Sequence, residues 1–439
     1  QKLRLFYHFF GSPANIECEK YIWAPPWNKT RGIAEHKTRN ISGDYTPAVD
    51  RESLEKIEAR AKDLNPADAH FWAWPFVKCC LEIADITKTL GFLRCKLERG
   101  MFRASFNAAT ETGRLNSKQN AQGYSSNAQN VTPRLRTIFI APKDCKFVAA
   151  DYAQIESRCV ASRCFMQFGA LNYWNAVHSG DLHSLAASMV WPDLPWPADF
   201  TLDWLNKHGA FPRDLLKAAK AIASEPFYRG KSRRDVSKTL GHGTSYLGKP
   251  PQMSKMSHID VKLIEHYQDV FFSAFPEIKQ WHLWIVRQIQ TVGEITTILG
   301  RTRRFFGRPN DDATIREAVA FDPQSTAADY CNRALLQLHK LRTQNKLPAT
   351  IHLSKHDELV VSCRNELEAQ VVRQLVETME SKIVLTAPNG MTRDLIIPAE
   401  VETGWNLGRV SKDNPDGLSH FGLERTRVND PFNVWGQIL

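Results

Sequence analysis

Three short stretches carry the residues whose types and spacing could do chemistry. In KFVAADY (146–152) an apolar, strand-like run ends on Asp151. In KHDELVV (355–361) Asp357 and Glu358 sit inside a run that otherwise reads as the buried strand of a hairpin. Burying adjacent carboxylates is costly unless something compensates. Two strands that bring carboxylates together over a sheet offer oxygen ligands to a hard divalent cation such as Mg²⁺, which would keep both acids ionised. Two such ions about 3.5–4 Å apart clamp the attacking and leaving oxygens of a phosphoryl transfer. Taken alone, either aspartate is more simply read as a turn cap or the partner of a nearby Arg.

The third stretch is SRRDVSKTLGHGTSYLG (232–248). On a helix, Arg234, Lys238, His242 and Tyr246 fall four residues apart along one slowly drifting face. Two cations and two rings in one stripe suit a triphosphate at one end and a base at the other. A solvated basic face would explain the cations but should scatter the rings. Gly241 and Gly243 each weaken a helix by roughly 1 kcal/mol, so something other than propensity favours them.

The elements around these stretches set the expected frame. The chain has 439 residues, enough for two or three domains or one multi-lobed enzyme. Its net charge of +10 fits a polyanionic partner but equally a merely basic protein. No stretch approaches the roughly 20 apolar residues of a membrane span. Nine scattered cysteines show no zinc spacing and read as reduced, small core residues. A short apolar helix is expected within 1–50, then helices over 49–64 and after Phe71, the second kinked or delayed by Pro75. LRTIFIAP (135–142) and KFVAADY read as strands. Residues 166–300 read as helical, broken by a Trp- and Pro-rich loop from Trp191 that suggests local packing. A helical block over 310–345, the hairpin at 351–363, a helix from Asn365 and a strand near LIIPAEVET complete the pattern.

Taken together, the stretches resemble the DNA polymerase I family (family A). DYAQIESR (151–158) resembles its motif A, RDVSKTLGHGTSY its motif B and HDELV (356–360) its motif C. TGRL (112–115), NAQN (127–130), LRTIFIAP, GDLHSLAA (180–187), REAVAFDPQSTAAD (316–329) and EVETGW (400–405) are similar to further family blocks. The resemblance covers roughly residues 1–406. It implies an α+β, right-hand polymerase fold with an antiparallel palm sheet and helical fingers and thumb. The thumb would be 1–111, the palm 112–165 and 301–406, the fingers 166–300, and 407–439 a C-terminal tail that packs back on the palm or docks a partner.

The implied activity is DNA-directed DNA polymerisation by two-metal-ion nucleotidyl transfer, with Mg²⁺ or substituting Mn²⁺, on primer–template DNA and dNTPs. Asp151 and Asp357, with the carbonyl of Tyr152, would hold the metal, and Glu358 would support it. Arg234 and Lys238 would hold the triphosphate, with Lys238 protonating the departing pyrophosphate. Gln154 and His183 would sit near the phosphates and sugar. Glu156 would exclude a 2′-hydroxyl, and Tyr246 would pack by the nascent base pair and bond to Glu156. Arg114, Asn127, Gln129, Arg316, Gln324 and His356 would touch the primer–template.

His242 departs from the family, standing where Phe or Tyr is usual and facing the sugar. Ala153, Ser157 and Ala320 are further departures, none at a metal ligand. The resemblance also implies a monomer in the cytoplasm or nucleoid of a bacterial or phage-infected cell, with an organelle left open. The chain starts at the thumb and would lack the proofreading exonuclease, unless a removed upstream region supplied it. Rival readings are a catalytically silent DNA-binding scaffold, a single-subunit RNA polymerase lacking the Glu gate, and use of an RNA template.

Overall fold

The computed structural model describes residues 73–178 and 181–422, with 37–39, 45–47 and the single positions 51, 54, 55, 58, 65 and 66. The chain divides into two compact units, 1–96 and 97–439. In the first, Lys37–Arg39 pairs antiparallel with Tyr45–Pro47. A helix spans Ala73–Leu93 and buries Val77 and Leu81 with Leu54. Pro75 is the third residue of this span, and the residues just before Ala73 lie outside the described residues. Of the helix expected over 49–64, the described positions Arg51, Leu54, Glu55 and Glu58 are helical. The apolar helix expected within 1–50 lies outside the described residues.

The second unit is built on an antiparallel sheet of β1 (Cys145–Tyr152), β2 (Thr350–Lys355), β3 (Glu358–Arg364), β4 (Ala399–Gly404) and β5 (Ser419–His420), in the order β2-β3-β1-β4-β5. Alternation in β1 sends Val148, Ala150 and Tyr152 to one face and Phe147 and Ala149 to the other. The first set joins the large helical core; the second packs with Val360, Leu418 and Ala141. The described part of the tail contributes β5, paired with β4 through Glu402–His420 and Thr403–Ser419. Residues 423–439 of the tail lie outside the described residues.

Among the helices of this unit are α1 (Ile155–Phe168), α2 (Leu182–Val190), α3 (Arg233–Ser245), α4 (Val261–Ala274), α5 (Pro276–Thr291), α6 (Asp312–Thr343) and α7 (Glu368–Met379). Helix α3 starts at a capping box in which Ser232 and Asp235 satisfy each other's backbone N–H groups. The two glycines in α3 are explained by packing. A Cβ on Gly241 would stand 2.9 Å from the Tyr267 hydroxyl of α4, and one on Gly243 2.6 Å from Met253. The Trp- and Pro-rich loop is local packing: Phe200 and Phe211 are buried, with ring centroids 4.6 Å apart.

Two expectations need correction. LRTIFIAP is not a strand: Pro133–Ile138 forms a 3₁₀ helix with Pro133 at its first position, and Ile140 makes an isolated bridge to Asn406. An apolar run with β-branched residues imitates a strand, but Pro pre-sets a helical turn. The cysteines are only partly core. Cys159, Cys164, Cys331 and Cys363 are buried, whereas Cys79 is exposed and Cys80, Cys95 and Cys145 are intermediate; these eight are all free thiols. Among the described residues no helix is long and apolar enough to cross a membrane.

One buried ion pair ties three helices of this unit together. Arg163 of α1 donates to both oxygens of Asp322 of α6, at 2.9 and 2.8 Å, and to the Thr296 carbonyl at 2.6 Å. Trp281 of α5 donates its indole N–H to Asp322 at 3.2 Å, and Trp284 stacks on the guanidinium. Removing one partner of such a pair leaves an uncompensated buried charge, at a cost of about 3–5 kcal/mol. Arg163→Met should therefore lower the unfolding free energy by that amount in urea denaturation. A loss below about 1 kcal/mol would show that the pair stabilises little.

Candidate active site

The register of the sheet sets the site. In the central strand β1, Asp151 is paired across to Glu358 of β3 on one side and to Glu400 of β4 on the other. Lys355, the last residue of β2, is paired to Glu358. Lys355, Glu358, Asp151 and Glu400 therefore form one cross-strand row at the strand ends. Asp357 is the second residue of the two-residue turn joining β2 to β3, and its carbonyl accepts the Tyr152 N–H at 3.3 Å. His356, the first turn residue, has φ +57°. Primed hairpin turns need positive φ there, and a non-glycine residue holds it at a cost of about 1–3 kcal/mol.

Like charges directly opposite each other on a sheet destabilise it. The Asp151 carboxyl is pushed up to about 7, first by partial loss of hydration and then by Asp357, Glu358 and Glu400, although the residue stays exposed at the strand end, where solvent screens part of this effect. Asp357 is also raised, chiefly by burial, with Glu156 adding to the shift. Among the described residues, no three or more His, Cys, Asp and Glu side chains converge on a metal position. Two carboxylates nonetheless fit Mg²⁺, which takes one or two from protein and its remaining ligands from water and phosphates. The strained acids are what a bound cation would relieve.

Glu156, near the start of α1, is the opposite case. Burial pushes its pKa up, but His242, Tyr246 and Arg114 together outweigh that and hold it at about 2. Tyr246 donates to it at 2.5 Å, Arg114 donates to its other oxygen, and His242 Nε2 lies 3.4 Å away. The bond expected between Tyr246 and Glu156 is present. Arg114, expected at the primer–template, here grips Glu156.

Helix α3 presents the expected stripe, although the helix ends at Ser245 and Tyr246 caps it. Arg234 donates to Asp181 at 2.7 Å, and Asp181 caps α2 through Ser184. His183 is buried, and its pKa falls to about 4: burial and the cations Arg234 and Lys238 outweigh Asp181. Lys238 and His242 are exposed. Gln154 has φ +53°, and its buried Oε1 has no hydrogen-bond partner.

Of the residues expected at DNA, Gln129 is buried and donates to the carbonyls of Leu115 and Ser354, both at 2.9 Å. Asn127 accepts from the Ser117 hydroxyl and the Gln129 N–H. Arg316 and Gln324 lie on α6, with Arg316 half-exposed and 3.7 Å from Asp312.

The sequence reading missed Lys355, Glu400 and Asp181. Lys355 adjoins motif C, and the hairpin register alone could have found it. Glu400 is brought in by pairing between distant strands, which leaves no local signal. Asp181 stands where a helix N-cap is expected, before LHSLAA.

Residues 216–408 match the family model described as DNA polymerase family A. Over these residues the chain is similar to DNA polymerase family A. The family span holds Arg234, Lys238, His242, Tyr246, His356, Asp357 and Glu358, whereas Asp151 and Glu156 precede it. Alignments with relatives reach further. The chain is 27% identical over 369 residues to the thermostable DNA polymerase I of Thermus filiformis, covering 80% of this chain and 38% of that protein. It is 27% identical over 424 residues to DNA polymerase I of Mycobacterium leprae, covering 91% and 39%. The chain thus spans well under half the length of these curated relatives. Among solved structures, the POL domain of Pol1 from M. smegmatis, in complex with DNA primer-template and dNTP, has a TM-score of 0.59 at 19% identity, covering 92% of this chain and 63% of that one. The family A fold is α+β, the right-hand polymerase fold.

The acids at the strand ends have a pH signature. A carboxyl whose folded pKa is raised makes the folded state bind the extra proton. Its contribution to stability is therefore lost as pH rises, from about 4 to about 7 for Asp151. In EDTA, Asp151→Asn should remove part of the fall in Tm between about pH 4 and 7. Parallel Tm curves for the two proteins would contradict the strain assigned to Asp151.

Proposed function

We propose that this chain is a DNA-directed DNA polymerase, a nucleotidyltransferase that adds dNTPs to a primer 3′-end under the direction of a template. The observation that carries this reading is the convergence of Asp151, at the end of a strand, and Asp357, in a hairpin turn distant in sequence, into a cluster of strained acids. Residues 1–111 would serve as thumb, 112–165 and 301–406 as palm, and 166–300 as fingers.

Asp151, Asp357 and the Tyr152 carbonyl would hold divalent ions, Mg²⁺ or Mn²⁺, with Glu358 in support. Two bound ions would activate the 3′-hydroxyl and neutralise charge on the transferring phosphate. Arg234, already aimed by Asp181, and exposed Lys238 would grip the triphosphate, and Lys238 would donate the proton that pyrophosphate needs on leaving. His183, neutral near pH 7, can donate or accept one hydrogen bond beside them. The unpartnered Gln154 Oε1 can accept a donor from the nucleotide.

Glu156 would select the sugar. Its carboxylate is held by three donors, so it cannot swing aside cheaply for a 2′-hydroxyl. Arg114, His356, Arg316 and Gln324 would line the primer–template, testing pair shape rather than sequence, because minor-groove acceptors are nearly degenerate. Asn127 and Gln129, their polar atoms largely used within the fold, would shape that surface more than reach out from it.

Primer extension tests the reading. Asp151→Ala and Asp357→Ala should each reduce extension with Mg²⁺ by at least about 10³-fold while leaving primer–template affinity within about threefold. Near-normal extension by either variant would refute the metal role. Glu156→Ala should raise ribonucleotide incorporation relative to dNTP by about tenfold or more. Unchanged sugar selectivity would refute the selector role.

A further inference from the structure

The row across the sheet contains a cation that the proposed reaction does not use. Lys355 pairs in register with Glu358, and its Nζ lies 3.9 Å from the Glu358 carboxylate. The Lys355 side chain is 21% exposed and that of Glu358 19%, so solvent screens the pair only partly. Because Glu358 is in turn paired with Asp151, and Asp151 with Glu400, the order of charges is plus, minus, minus, minus. The two-residue turn leaves Lys355 no slack, since β2 ends on it and β3 begins at Glu358.

We propose that Lys355 is a positioning residue that acts as a permanent counter-ion for the acidic row, holding Glu358 and Asp151 together without metal and opposing the divalent ion that binds there. The inference rests on the reading of Asp151 and Asp357 as metal ligands. An ammonium beside the row offsets repulsion among the carboxylates, so the hairpin and central strand keep their register in the metal-free protein. The same charge repels an incoming cation. Metal binding is thus weaker than the carboxylates alone would make it, and an ion held less tightly is released more readily.

The two effects have opposite signs in one variant, which a merely structural lysine would not produce. The full chain, its Lys355→Met and Lys355→Gln variants and the rescue variant Lys355→Arg would be compared in two measurements without DNA or nucleotide. These are Tm in EDTA and the concentration midpoint of Mn²⁺ binding, read by electron paramagnetic resonance, with the Mg²⁺-dependent rise in Tm as a second readout. Lys355→Met and Lys355→Gln should lower Tm in EDTA and shift the metal midpoint about three- to tenfold lower. Lys355→Arg should behave like the parent chain in both.

An unchanged metal midpoint in the Met and Gln variants would overturn the proposal. So would weakened primer–template binding with a salt slope about one unit shallower and no change in metal affinity, which would assign Lys355 to a phosphate. If the parent chain binds neither Mn²⁺ nor Mg²⁺ but its Asp151→Asn variant behaves identically, the metal reading itself fails, and the proposal with it.

Discussion

The pairing of β1 between β3 and β4 is the constraint on which the rest depends. A strand buried on both edges has its register fixed by its apolar residues, and a slip of one residue would exchange the two faces. Val148, Ala150 and Tyr152 must face the helical core, while Phe147 and Ala149 face Val360 and Leu418. With those assignments made, Asp151 has no choice of neighbours. It stands between Glu358 and Glu400 because hydrophobic residues two and four positions earlier put it there. Packing of the apolar strand thus outweighs the repulsion at its end, and strained acids are the consequence.

The site therefore contains two kinds of carboxylate. Asp151 and Asp357 lose hydration first and then meet like charge, so their ionised forms are disfavoured until something positive arrives. Glu156 is half-buried but served by Arg114, His242 and Tyr246, so its ionised form is favoured. A group that must take up a cation benefits from being unsatisfied, and a group that must stay still benefits from the reverse. Because Arg114, Glu156 and Tyr246 come from a loop, α1 and the end of α3, their bonds also set where α3 stands relative to the sheet.

Legibility in the sequence tracks the range of the interactions. The stripe on α3 could be read because Arg234, Lys238, His242 and Tyr246 are related by helical spacing alone. The hairpin was legible because TIHLS, KHDELVV and the residues after them encode both strands and the turn in one local stretch. The likeness of DYAQIESR and HDELV to family motifs joined two distant carboxylates, a relation that no periodicity within either segment expresses. The cross-strand row was not legible, since Glu400 meets Asp151 only through sheet order. LRTIFIAP misled because its apolar residues imitate a strand, whereas Pro133, two residues before the stretch, sets the local backbone. Gly241 and Gly243 were visible as anomalies, but their cause, the Tyr267 hydroxyl and Met253, belongs to other helices.

Those glycine contacts bear on how far α3 can move. An α-helix that meets a neighbour through glycine lies closer to it than side chains would permit, and Tyr267 deepens the contact by donating to the Ser237 carbonyl at 3.1 Å. The Arg234–Asp181 bond ties the start of α3 to the cap of α2, and Glu156 ties its end to α1. A helix fastened at both ends and pressed along its middle is poorly suited to wander independently. Any motion of α3 would have to carry α2 and α4 along as one body and break the Tyr246–Glu156 bond to α1, turning about connecting segments rather than within α3. Rigid cationic helices and a rigid acidic sheet end then leave the adjustment to the segments between them. That division suits chemistry which depends on holding charges at fixed separations.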